Sequence, residues 1–247
     1  MNKTITQIYK KLLDEYGPQG WWPVYSLRNA KDRDDRGYFI TNVSKGTDNN
    51  LLLDKSSRFE ITIGAILTQN TAWTNVEKAL ANLIEIDLVD PNKIIEINQG
   101  DLAEYIRSSG YYNQKAKKIK ILTHFLQEGD YFTDGNIPKR NDLLALWGIG
   151  EETADSILLY AYNFPVFVID AYTKRIFTRL GLLGGNEKYS EIAAVFTDSL
   201  KKDAEVYQEY HALIVRHAKE HCRKKPDCDG CGLNPICLQF SRSLKLF

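Results

Sequence analysis

Leu146-Trp147-Gly148-Ile149-Gly150-Glu151-Glu152-Thr153-Ala154 is the stretch whose reading decides the fold. On its N-terminal side, Asn141-Asp142-Leu143-Leu144-Ala145-Leu146 reads as a short helix. On its C-terminal side, Glu151 to Tyr162 reads as a second helix, with Ala154, Ile157, Leu158 and Ala161 recurring along one side. Gly148 and Gly150 let the backbone between them turn sharply and approach another molecule without Cβ interference. The first amides of the second helix have no intrahelical partner and sit at the positive end of its dipole, which suits a phosphate oxygen. Such a corner, Gly148-Ile149-Gly150, grips a DNA backbone without reading its sequence. The same residues also suit a plain helix–turn–helix corner with a glycine cap.

Two features beyond the hairpin bear on that choice. Pro165-Val166-Phe167-Val168-Ile169-Asp170 is an apolar run that ends in a carboxylate, immediately before a helix predicted over Ala171 to Leu180. A helix N-terminus favours the ionised form of Asp170, and an N-cap role for the same side chain is compatible with that. The chain's four cysteines follow near its end as Cys222, Cys228, Cys231 and Cys237, in the pattern C-x5-C-x2-C-x5-C. Four thiols in one short polar segment point to a metal site rather than to disulfides. Zinc sites more often show two C-x2-C pairs. One such pair flanked by single cysteines is a wrap suited to a [4Fe–4S] cluster, with zinc as the alternative.

Hairpin, carboxylate and cysteine cluster, in this order, resemble the helix-hairpin-helix DNA glycosylases of the endonuclease III type, from about Phe59 to Cys237. That family has one more residue in the first cysteine gap. Trp21-Trp22-Pro23, Phe59-Glu60, Gly64-Ala65-Ile66-Leu67-Thr68-Gln69-Asn70-Thr71, Gly110-Tyr111-Tyr112-Asn113-Gln114-Lys115-Ala116 and the hairpin itself resemble its 3-methyladenine DNA glycosylase III branch. The resemblance implies an all-α, two-domain fold with an iron–sulfur cluster loop. Residues 59–164 would form a helical bundle domain containing the hairpin. Residues 1–24 and 165–247 would form a second helical domain holding the cluster, and 25–58 would be an irregular excursion. DNA would lie in the cleft between the domains.

The same resemblance assigns roles. Gln69 fills the hole left by a flipped base, and Tyr111 is the wedge beside it. Lys115 and Lys117 follow on the phosphates. Trp21 or Trp22, together with Phe59, lines the base pocket. Electron-rich rings suit the flat cation that alkylation makes of a purine. Lyase-active members carry a lysine two residues after the second hairpin glycine. Here that residue is Glu152, which cannot form a Schiff base. Asp170 is the expected catalytic carboxylate, with Glu152 assisting and Lys174 as the nearest substitute amine. The implied activity is a monofunctional base-excision-repair glycosylase that flips out a damaged base in double-stranded DNA, an alkylated purine such as 3-methyladenine, and hydrolyses its N-glycosidic bond. Glycosylase/lyase action on oxidised pyrimidines or mismatches, and a non-catalytic DNA-binding protein, are the competing readings.

Composition sets the frame for this. The 247 residues are 43% hydrophobic and 26% charged, an ordinary globular balance. No run approaches the roughly 20 apolar residues of a membrane span. The polar start, Met1-Asn2-Lys3-Thr4-Ile5-Thr6, lacks a signal-peptide core, so a cytoplasmic location is expected; a monomer is expected as well. The formal net charge is zero, yet charge is segregated: Tyr111 to Phe125 holds four lysines and no acid. One basic face is therefore expected. Helices are predicted over Thr4–Tyr16, in two parts over Phe59–Leu83, then over Pro91–Ile97, Asp101–Ser108, Gln114–Glu128, Tyr189–Lys201 and Ala204–Cys222. A short strand is predicted at Tyr38–Thr41.

Overall fold

The computed structural model describes residues 3–31, 34–38 and 53–244. The strand predicted at Tyr38–Thr41 falls largely outside them. Among the described residues the regular elements are all helical. The α-helices are α1 (Lys3–Tyr16), α2 (Lys55–Leu67), α3 (Trp73–Glu85), α4 (Pro91–Glu96), α5 (Gln99–Tyr105), α6 (Tyr112–Glu128), α7 (Arg140–Leu144), α8 (Glu151–Ser156), α9 (Ala171–Leu180), α10 (Tyr189–Thr197), α11 (Ala204–Glu220) and α12 (Leu238–Leu244). Two compact units result, one of residues 22–164 and one of residues 1–21 with 165–247. Residues 22–24, expected with the termini, therefore group with the hairpin unit.

The hairpin unit is built around α2. Residues 57 to 67 of that helix are all buried, so it carries no amphipathic stripe and is surrounded by other elements. It begins earlier than predicted because Asp54 caps it, accepting from the Ser57 amide at 2.7 Å. The excursion expected over 25–58 thus already contains the first turn of a core helix. Asp90 and Asn98 cap α4 and α5 in the same way. The second hairpin helix changes character: after Ser156 the chain continues as a π-turn over Ile157–Ala161, all of it buried. Such wide turns are rare and carry no simple sequence period, which is why a single α-helix was expected.

In the terminal unit, α1 buries Ile5, Ile8 and Leu12 completely. Its partner is α11, whose Tyr210 hydroxyl donates to the Ile5 carbonyl at 3.0 Å. Phe167 stacks on Phe196 with ring centroids 4.2 Å apart, and Phe177, Tyr207 and Tyr210 close round them edge-on. Stacked and edge-to-face aromatics of this kind exceed what their buried area alone would contribute. This core fixes the strand-like run Pro165–Ile169 and so sets where Asp170 begins α9.

Candidate functional site

The hairpin is a locked corner. Gly148 has φ +81°, a conformation that side chains with a Cβ rarely adopt. Ile149 is buried and anchors the turn, while Gly150 is exposed and is the N-cap of α8. Gly150 has ordinary extended backbone, and a Cβ built on it meets nothing within 4 Å. The sharp turn therefore rests on Gly148, and Gly150 leaves an open approach to the first amides of α8. Sequence reading missed the brace beneath the corner. Arg140 grips the buried Asp155 with two hydrogen bonds, Nε to Oδ1 at 2.6 Å and Nη2 to Oδ2 at 3.0 Å, tying α7 to α8. Paired bonds of this geometry resist rotation as well as separation.

Gln69 reaches the same corner. Its Nε2 donates to Thr153 Oγ1 at 2.9 Å and to the Gly148 carbonyl at 3.4 Å. Its Oε1 accepts from Lys118 Nζ at 2.6 Å. The Lys118 stem lies where a Gly148 side chain would go. Neither Thr153 nor Lys118 was singled out in the sequence. Tyr111 is 68% exposed and left-handed, with φ +47°. Lys117 is exposed, its ammonium 4.5 Å over the Trp147 ring, and that ring is itself 49% exposed. Lys115 departs from expectation. It is 1% exposed, and its ammonium donates to the Leu67 and Ser109 carbonyls at 2.8 and 2.7 Å. It is an internal cross-link and not a surface phosphate contact. Burial, with Lys118 nearby, pushes its pKa down to about 8.

The expected base pocket also needs correction. Phe59 is 1% exposed and packs edge-on against Phe132, which makes it a core residue. Trp22 is buried against Trp73, Tyr160 and the bare Gly64 backbone. Large rings in a unit this size serve the core first. Trp21, in the terminal unit, is half-buried and stands edge-on to the His211 ring at 5.8 Å.

His211 leads to the carboxylate. Asp170 is the N-cap of α9, its Oδ1 accepting from the Thr173 amide at 2.7 Å and from the Thr173 hydroxyl at 2.8 Å. Its Oδ2 faces His211 Nε2 at 3.6 Å, and the side chain keeps 11% of its surface. Burial pushes this carboxyl up, but His211 and the bonds from Thr173 more than reverse that and leave it below the usual carboxylate value. Asp170 thus combines the cap with an anion held ready. Glu152 is exposed in the first turn of α8, and Lys174 is exposed on α9.

Cys222, Cys228, Cys231 and Cys237 line a single cavity of about 120 Å³ in the terminal unit, with Arg179, His217 and Leu233 among its walls. Arg179 Nη1 donates to Cys222 Sγ at 3.2 Å, and His217 Nε2 lies 3.6 Å from Cys231 Sγ. Burial first, then the neighbouring thiols, raises the Cys228 and Cys231 pKa values. Among the described residues no group of three or more His, Cys, Asp or Glu side chains has the arrangement of a single-ion site.

Fold and site together define a helix-hairpin-helix protein with a buried, ionised cap carboxylate and a four-thiol cavity. Residues 63–202 match the model of the HhH-GPD superfamily of base excision DNA repair proteins, and the chain belongs to that family. A putative DNA repair glycosylase of Methanocaldococcus jannaschii is 43% identical over 242 residues, covering 95% of this chain and 96% of that protein. Endonuclease III of Sulfolobus acidocaldarius is 28% identical over 242 residues, 97% of each. Among solved structures, H. pylori 3-methyladenine DNA glycosylase bound to 1,N6-ethenoadenine matches with a TM-score of 0.60 at 33% identity, over 66% of this chain and 85% of that one. A non-covalent endonuclease III–DNA complex matches in fold over 99% of both chains, with a TM-score of 0.75 at 20% identity.

Proposed function

We propose that this DNA glycosylase is monofunctional. In this reading it hydrolyses the N-glycosidic bond of an alkylated purine, such as 3-methyladenine, in double-stranded DNA and leaves the abasic site uncut. The observation that carries the reading is Asp170: an anion fixed by two bonds to one oxygen, with its second oxygen turned to His211. Base loss breaks the C1′–N bond, and the electron pair departs with the base. The sugar left behind is a cation that a fixed carboxylate stabilises, and water adding at C1′ gives its proton to that carboxylate. The H. pylori relative, an alkylpurine enzyme by its description, supports the substrate class. Trp21 is the aromatic face left for a cationic base once Phe59 and Trp22 are assigned to the core. Glu152 supports the monofunctional reading, because a carboxylate at the lyase position offers no amine.

The DNA would dock on Gly148, Ile149 and Gly150 through the α8 amides, with Gln69, Tyr111 and Lys117 beside them. The four thiols fit a [4Fe–4S] cluster, since all of them line one cavity and an arginine already donates to one sulfur. Cys222, Cys228, Cys231 and Cys237 would hold it. When bound it supplies folding free energy and fixes the exposed Arg223-Lys224-Lys225 loop.

The test is a panel of duplexes with one lesion each, scored for free base released, with Asp170→Asn alongside. Alkylpurine release that falls by about 10²-fold or more in the variant, at nearly unchanged duplex affinity, is the expected result. Borohydride should trap no covalent adduct. Release of oxidised pyrimidines with a strong adduct would replace this reading by the endonuclease III one. Equal loss of binding and excision would leave Asp170 a structural cap only.

A further inference from the structure

The two loops that carry Gln69 and Tyr111 are joined by a buried cation. Lys115 donates to the carbonyl of Leu67, two residues before Gln69, and to that of Ser109, two residues before Tyr111. An ammonium at 1% exposure is costly to desolvate, and a methionine would fill the same space without that cost. What the lysine adds is direction: two hydrogen bonds aimed at two different loops. One turn further along α6, Lys118 holds the Gln69 side chain itself, with its stem laid against Gly148. Tyr111, the N-cap of α6, stands exposed in a left-handed conformation that a bulky residue adopts only when its surroundings impose it. Backbone, amide and ring are thus referred to one helix.

We propose that Lys115 and Lys118 are positioning residues that hold the Tyr111 ring and the Gln69 amide at one fixed separation, so that wedge and filler enter a duplex as a single tool. This rests on the DNA reading above. Their work is done while a paired base is being forced out of the stack, and it is not needed once the base is already unpaired.

The experiment compares full-length wild type, Lys115→Met and Lys118→Met on two duplexes. In one the lesion is normally paired, and in the other it lies opposite an abasic analogue. Each variant should lose about tenfold or more in single-turnover excision on the paired lesion and less than about threefold on the unpaired one. A general structural defect would lower both rates together, and that result, or no loss at all, overturns the proposal. A second measurement needs no excision: 2-aminopurine placed beside a tetrahydrofuran abasic analogue reports entry of the wedge and filler. Its fluorescence response should shrink in both variants, and an undiminished response overturns the proposal. If wild type releases no base, the functional reading fails while this second measurement still decides the positioning role. Should Lys115→Met not fold, Lys118→Met, at a half-buried side chain, carries both measurements.

Discussion

Gly148→Ala separates the two hairpin glycines. At φ +81° an added Cβ costs about 1–2 kcal/mol in backbone energy. That Cβ would also lie 2.4 Å from Lys118 Cε and 2.9 Å from its Cδ and Cγ. The lysine stem is flexible and will move, but moving it breaks the charge-assisted bond to Gln69 Oε1. Discounted for the half-exposed setting, that loss is about 1–2 kcal/mol. The sum is about 2–4 kcal/mol, or roughly 4–16 °C in Tm for a chain of this size. Gly150→Ala meets open space at an ordinary φ, so only a weaker N-cap is lost, within about 1 kcal/mol. Thermal denaturation of both variants checks this, with duplex affinity measured alongside. Gly148→Ala should lower Tm strongly. Gly150→Ala should leave Tm nearly intact while weakening DNA binding, because its methyl occupies the approach to the α8 amides. Adding Lys118→Ala to Gly148→Ala should cost less than the two single changes summed, since the clash and the bond vanish together. Equal Tm losses for the two glycine variants, or strict additivity in the double variant, would refute the reasoning.

Glu209 is half-buried, and its carboxyl is raised to about 7 by burial against the opposing bonds from Gln19 and Gly20. The native state then binds more protons than the unfolded chain between about pH 4.5 and 7, so stability falls as pH rises through that window. Glu209→Gln, whose amide oxygen still accepts from Gln19, should flatten Tm between pH 5 and 8, and parallel curves for variant and wild type would contradict this. Protein purified without oxygen should be brown and contain iron, and Cys228→Ser should lose both the colour and thermal stability; colourless protein with stoichiometric zinc would end the cluster assignment. The slope of log affinity against log salt should fall between about −2 and −4, the value for two to four neutralised phosphates, and a slope near −6 would refute it.

Helix positions were legible where a local signal exists. Ala171–Leu180 was read without error because Asp170 caps it and Gly181, at φ +80°, ends it. The α2 start was missed because Asp54-Lys55-Ser56-Ser57 is polar and lies next to a long polar stretch, which hides the cap. The two residues holding Gln69 were missed for a different reason. Thr153 and Lys118 lie far from it in sequence, and no period or motif announces such a contact. The pairing of Asp170 with His211 is equally non-local, since Asp170 caps α9 and His211 lies on α11, far from it in sequence. Phe59 and Lys115 show how a matched motif misleads: it fixes a residue's position in the chain but leaves open which way the side chain points.

The lysines of α6 carry this furthest. In sequence they form a basic run, and a basic run suggests a phosphate-binding face. In the fold, Lys115 and Lys118 turn inward onto Leu67, Ser109 and Gln69, and Lys120 donates to the carbonyls of Ile94, Ile95 and Ile97, closing the end of α4. Lys117 remains at the surface, over Trp147. Three of these four charges therefore satisfy oxygens of the hairpin unit itself and are not offered to a polyanion. The basic face that the α6 run suggests is thus reduced to Lys117 on that helix, while Arg223, Lys224 and Lys225 stay exposed in the other unit. In the proposed DNA reading, the grip on this unit would then draw on fixed dipoles, the amides behind Gly150, on Lys117 and on the exposed Tyr111 ring. Dipoles and stacking hold only at contact distance and release few counterions, so the proposed contact set predicts a shallow salt slope.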